Sequence, residues 1–109
     1  MATSPQITVA DAPADSRIEI QLDGALAGFV VYKRRPGTIA FIHTEIAESA
    51  RGHGLASTLI AAALAQARAE QLQVLPFCPF VRDFIEQHHD VLDLVPRERR
   101  EQFRLPLDG

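Results

Sequence analysis

Thr38-Ile39-Ala40-Phe41-Ile42-His43-Thr44-Glu45-Ile46 reads as a strand, and Leu55–Ala67 behind it reads as a helix. Between them lies the short polar connection Ala47–Gly54, which ends in Arg51-Gly52-His53-Gly54. In the second segment Ala56, Leu59, Ile60, Ala63, Leu64 and Ala67 repeat at helical spacing and make one apolar face. A turn entering a helix gathers unpaired backbone N–H groups and the positive end of the helix dipole, which together attract a phosphate. Glycines let the backbone approach such a ligand closely, and Arg51 adds a fixed charge with a planar fork of donors. Strand, glycine loop and helix therefore predict an anion site for a phosphorylated ligand.

The flanking sequence places this unit in a sheet. Gln6–Ala10 is a short strand, with Ile7 and Val9 alternating, and Asp11–Asp15 with Pro13 is a turn. Arg17-Ile18-Glu19-Ile20-Gln21-Leu22 alternates polar and apolar residues as a half-buried strand does. Asp23-Gly24 is a hairpin signal, and the next strand is Ala25–Arg34. Arg35-Pro36-Gly37 turns the chain into Thr38–Ile46, so the first half is an antiparallel meander.

Beyond the helix, Leu72–Phe77 reads as a strand, and strand–helix–strand is a parallel crossover, right-handed by rule. Pro76 has no N–H and stops pairing at the strand end. Pro79 suits the first position of a second helix, with Phe80, Phe84 and Ile85 facing inward and His88-His89-Asp90 at its end. Val91, Leu92, Leu94 and Val95 pack on the core, Pro96–Phe103 reads as a last short helix, and Leu105–Gly109 as a tail. The expected class is α/β (α+β): an antiparallel meander followed by a parallel β-α-β crossover, with helices covering the sheet.

Composition narrows the function. The 109 residues suit one domain, and 47% apolar residues supply one core. The formal charge of −3 disfavours non-specific nucleic-acid binding, and the cluster Arg97, Arg99, Arg100 and Arg104 reads as a solvated helix face. Cys78 is the one cysteine, so no intramolecular disulfide forms, which suits a reducing compartment. The start Met-Ala-Thr-Ser-Pro lacks the basic and apolar regions of a signal peptide, and no apolar run is long enough to span a bilayer. The expectation is a cytoplasmic protein without a membrane partner. One cysteine and scattered histidines supply no metal-ligand spacing, so no metal is expected.

Gly52-His53-Gly54-Leu55-Ala56-Ser57 is not a dinucleotide fingerprint, because Ser57 stands where the third glycine belongs and no acidic residue follows at the ribose-reading distance. Nor is it a P-loop, since no Gly-Lys-Ser/Thr occurs. On spacing alone a structural turn and a phosphate cradle stand level. Cys78 is either a small buried hydrophobe or, between a strand-ending proline and a helix N-terminus, a reactive thiol. His43 is either a satisfied core histidine or a general base near Cys78, should the two strands be neighbours. Glu45 points the same way as His43 and is a second base candidate. His53, His88 and His89 read as surface residues.

Arg51-Gly52-His53-Gly54-Leu55-Ala56 resembles the Arg/Gln-x-x-Gly-x-Gly/Ala loop of the GNAT acetyltransferases, which bind acetyl-CoA. With Ile42-His43-Thr44-Glu45-Ile46 and Leu75-Pro76-Phe77-Cys78-Pro79-Phe80-Val81, it resembles a small single-domain branch, the YjdJ-like or NATD-like acetyltransferases. The likeness covers about residues 6–95. It implies that backbone groups of Arg51, Gly52, His53, Gly54, Leu55 and Ala56 hold the pyrophosphate of acetyl-CoA. It also implies that Ile46 pairs with the pantetheine arm, and that strands 38–46 and 72–77 splay to admit it. His43 and Cys78 match positions suspected of catalysis in that branch.

The implied activity is acetyl transfer from acetyl-CoA, as co-substrate, to an amine acceptor. The transfer proceeds by direct attack or through an acetyl-Cys78 intermediate. Many GNAT enzymes protonate the leaving thiolate with a tyrosine on the helix after the last core strand. Phe80–Gln87 has none, and Tyr32 lies on an earlier strand, which leaves Cys78 or water for that task. The alternative is a non-catalytic acetyl-CoA or CoA-binding module with a protein partner. A cysteine–histidine hydrolase is a third reading, with no oxyanion hole in view.

Overall fold

The computed structural model describes residues 6–50 and 54–107, the side chain of Ser49 excepted. Five strands form one sheet in chain order: β1 Ile7–Ala12, β2 Arg17–Leu22, β3 Ala25–Arg35, β4 Thr38–Ile46 and β5 Gln73–Pro76. The first four pair antiparallel, and β4 pairs with β5 in parallel. The crossover helix is α1, Leu55–Ala69, and α2, Pro79–Gln87, follows β5 directly. The α+β architecture with its meander and crossover is the one expected. Individual ends differ: β1 runs on to Ala12, and β5 is two residues shorter than the predicted 72–77.

The turns have local causes. At Asp23-Gly24 both residues take positive φ, 53° and 84°, the pattern that matches strand twist in a two-residue hairpin. Pro36-Gly37 closes the next hairpin, with Gly37 at φ 78°.

Two bulges break the alternation. Ile20 pairs with Gly28 and Gln21 with Leu26, which leaves Ala27 extra on β3. Val31 pairs with His43 and Tyr32 with Phe41, which leaves Ile42 extra on β4. Before this second bulge Ile39 and Phe41 face the core; after it Thr44 does, three residues beyond Phe41 rather than two.

One core joins the sheet to both helices. Ile18, Ile20, Val30, Ile39, Phe41 and Val74 from the strands meet Leu55, Leu59, Ile60, Ala63, Leu64 and Ala67 of α1. From α2 the buried residues are Val81 and Ile85. The predicted inward face of α2 is therefore corrected at Phe80, which is 55% exposed. Phe84 is half-buried and stacks on His88 with ring centroids 4.0 Å apart. Pro96–Phe103 is not a helix: Arg97–Arg99 forms one 3-10 turn and the chain then continues in turns. Of the segment expected as a tail, Leu105 is buried, as is Phe103 before it, Leu107 is exposed, and Asp108 and Gly109 lie outside the described residues. Arg82 holds this segment by donating from Nε to Phe103 O at 2.9 Å and from Nη2 to Arg104 O at 2.7 Å. Arg100, predicted as part of a solvated face, donates to the carbonyls of Val95 and Leu107 instead.

Ion pairs tie the periphery together. Arg34 donates to Glu70, and Arg68 meets both carboxylate oxygens of Asp93 at 2.9 and 2.8 Å. Both carboxyls are held below their usual range, chiefly by the hydrogen bonds from these arginines. A depressed carboxyl stabilises the fold above its unfolded pKa, and that contribution is lost as pH falls through the folded one.

Gly28 is needed where β3 meets the end of β4. A Cβ there would lie 2.5 Å from Glu45 O and 2.6 Å from Ile46 Cδ1. The first of these is backbone and cannot step aside. Gly28→Ala is expected to destabilise the protein by about 1–3 kcal/mol in urea denaturation, the usual cost of forced overpacking. A change within about 0.5 kcal/mol, the level of an ordinary surface substitution, would contradict the close approach.

Candidate active site

The site forms where β4 and β5 part. Their ladder runs from Thr38–Gln73 to Phe41–Pro76 and then stops. Pro76 cannot donate to the ladder, Phe77 N–H turns back to Leu75 O, and Cys78 N–H closes the rung on Phe41 O at 2.8 Å. Chain direction then changes into α2, with Pro79 at its start and Cys78 at the N-cap. β4 runs on through residues 42–46, paired with β3 but without β5 on its other side. The resemblance implied a splay of strands 38–46 and 72–77; in the structure β5 ends at Pro76 and leaves the last residues of β4 without it.

A cleft of about 480 Å³ fills the gap. Its walls are Thr44, Glu45 and Ile46 from β4, Ala50 and Gly54 from the connection, Leu55 and Ala56 from α1, and Phe80 from α2. Gly54 caps α1 at φ 67°, a left-handed conformation that glycine takes without strain, and has no side chain to occupy the first-turn amides. α1 also carries no acidic residue in its first turn, so the one carboxylate among the described residues of the cleft wall is Glu45 of β4. Ala56 is half-buried in the cleft wall, while Leu55 enters the core. Arg51, Gly52 and His53 lie outside the described residues. Among the described residues no cluster of three metal-ligating side chains occurs.

His43 and Glu45 share one face of β4 and are exposed, with His43 Nε2 3.6 Å from Glu45 Oε1. The expected approach of His43 to Cys78 does not occur. β4 and β5 are neighbours, but the bulge at Ile42 turns Thr44 to the core side, and Thr44 Oγ1 lies 3.0 Å from Cys78 Sγ. His43 thus points away from the thiol. Cys78 is 1% exposed and does not line the cleft, whereas Thr44, 5% exposed, does. Sequence reading missed Thr44, and also missed Phe80 as a cleft wall.

Tyr32 is committed elsewhere. Its hydroxyl donates to Asp11 Oδ1 at 2.6 Å, and burial followed by that contact raises its pKa above the usual phenol value.

Residues 17–94 match the description of the GCN5-related N-acetyl-transferases. The chain belongs to that family. The matched span includes β2 to β5, both helices and every described residue of the cleft wall. Among solved structures, the crystal structure of a ribosomal-protein-alanine N-acetyltransferase from Brucella melitensis biovar Abortus 2308 is similar at TM-score 0.52 and 22% identity. The similarity covers 69% of this chain and spans 59% of that neighbour's length, and it bears on the fold. No curated protein matches the sequence.

Membership places the chain in a family described by N-acetyl transfer. Among the described residues no helix is long and apolar enough to cross a membrane.

Proposed function

We propose that this chain transfers an acetyl group from acetyl-CoA to an amine, acting as one acetyl-CoA-binding unit whose core is about residues 6–95. The observation that carries this is the cleft, in which a strand edge left by β5 meets a helix N-terminus with no side-chain cap among the described residues. The free edge at Ile46 suits the amide groups of the pantetheine arm. Gly54, Leu55 and Ala56, with Arg51, Gly52 and His53 before them, suit the pyrophosphate. Phe80 gives the arm an apolar wall.

Direct attack suits the geometry better than an acetyl-Cys78 intermediate. A nucleophile must reach the thioester carbonyl, and the Cys78 thiol lies behind the cleft wall. In direct attack the amine nitrogen bonds to the carbonyl carbon, the C–S bond breaks, and CoA leaves as a thiolate. Glu45, exposed at the cleft edge with His43 beside it, takes the proton from the amine.

The test is CoA release, read with a thiol reagent, over a panel of 1-aminobutane, spermidine, lysine and an alanine-initiated tripeptide. Release with at least one amine, and no acetyl adduct on the protein by rapid-quench intact mass, is expected. Tight acetyl-CoA binding with no release for any amine would contradict transfer and favour the binding module. A stoichiometric acetyl-Cys78 species would contradict direct attack.

A further inference from the structure

Thr44 is the one polar residue buried in the core among the described residues, and its hydroxyl sits 3.0 Å from Cys78 Sγ. A buried hydroxyl needs a partner, and here the partner is a thiol rather than a backbone carbonyl. Thr44 is also a residue of the cleft wall, and Cys78 is not. The bulge at Ile42 produces this arrangement by bringing Thr44 to the core side of β4. Cys78 in turn stands at the N-cap of α2, where the helix dipole favours negative charge. A cleft-lining residue, a buried thiol and a helix end are therefore linked in that order.

We propose that Thr44 and Cys78 form a two-member proton relay that protonates the leaving thiolate. The proposal rests on the acyl-transfer reading above. When the C–S bond of the tetrahedral adduct breaks, its electron pair stays on the CoA sulfur. The Thr44 O–H proton passes to that sulfur, and the Thr44 oxygen takes the S–H proton of Cys78 in the same step. The products are the amide and CoA thiol. The negative charge rests on Cys78 Sγ, never on the threonine. The threonine hydroxyl, reprotonated, donates to the new thiolate at the distance already in place. Solvent in the emptied cleft returns a proton to Cys78 through Thr44, in balance with the proton that the amine gives up to Glu45. This relay does the work of a phenol in a chain whose one tyrosine is bound to Asp11.

The experiment measures kcat and KM for acetyl-CoA with whichever panel amine gives the fastest CoA release. It compares the parent chain with Thr44→Val, Thr44→Ser and Cys78→Ala, and adds a proton inventory in mixed H₂O and D₂O. Thr44→Val keeps the shape and removes the hydroxyl. It is expected to lower kcat roughly 100-fold, the usual worth of a placed general acid, with KM within about twofold. Thr44→Ser restores most of kcat. Thr44→Val combined with Cys78→Ala is no slower than the worse single variant, because the two act as one unit. The inventory is bowed for the parent, with two protons in flight, and linear for Thr44→Val.

Thr44→Val at more than about a third of the parental kcat overturns the relay, since a general acid contributes far more than that. So does a double variant whose losses multiply. Acetyl-CoA binding followed by thermal shift on the same samples separates the two levels. A parent that binds acetyl-CoA but turns over no amine removes the transfer reading, and the relay with it. A parent that turns over normally with an active Thr44→Val removes the relay alone.

Discussion

Ala56→Glu is expected to weaken acetyl-CoA binding at least about 100-fold while leaving the folded protein at least as stable as its parent. Ala56 is the second residue of α1, half-buried in the wall of the cleft. A carboxylate there meets the pyrophosphate as a like charge. Two unit charges 4 Å apart near a protein surface repel by about 4 kcal/mol, and salt screening reduces this to the 2–3 kcal/mol that a hundredfold change requires. For the free protein the sign reverses. An acidic residue in the first turn of a helix stabilises it by about 0.3–1 kcal/mol, and α1 has none. Titration calorimetry reads the binding and urea denaturation the stability. Ala61→Glu, on the exposed outer face of the same helix, serves as the control and leaves binding unchanged. Affinity for Ala56→Glu within about threefold of the parent would mean that no phosphate lies near this turn, because even a screened charge pair costs more.

Phe41→Ala carries the largest expected loss of stability. Phe41 is 0% exposed and sits on the last rung that β4 shares with β5. Truncating a buried phenylalanine costs about 3–5 kcal/mol from lost transfer energy and the cavity left behind. A small domain has about 5–15 kcal/mol in all, so the variant is marginal at room temperature. The residue also positions the site, because its carbonyl receives the Cys78 N–H and so fixes where α2 begins. Lower acetyl-CoA affinity should accompany the lower urea midpoint. A loss under about 1 kcal/mol would place Phe41 outside the core, against its burial.

Strand order was legible because local signals agreed with the tertiary arrangement. β2 alternates strictly, Asp23-Gly24 and Pro36-Gly37 are turn pairs, and α1 shows its face at helical spacing. The site was less legible, and Ile42 is the reason. A bulge is a decision of the paired strands, and Thr38–Ile46 contains no glycine or proline to announce one. Plain alternation carried past Ile42 gives His43 the core side and Thr44 the open side, the reverse of what the sheet adopts.

In α2 two apolar pairs four residues apart compete, Phe80 with Phe84 and Val81 with Ile85. A nine-residue helix has too few turns for periodicity to choose between them, and packing against the sheet selects the aliphatic pair. Phe103 sets its ring edge-on to Phe77 and its carbonyl accepts from Arg82, contacts that no local pattern encodes.

The most direct measurement is a calorimetric titration of the parent chain with acetyl-CoA, with CoA and ATP as comparators. The account predicts one site per chain for acetyl-CoA, somewhat weaker binding of CoA through the same arm and pyrophosphate, and little heat from ATP, which has no pantetheine for the free edge of β4. No binding at millimolar acetyl-CoA, or ATP binding as tightly as acetyl-CoA, would contradict the assignment of the cleft.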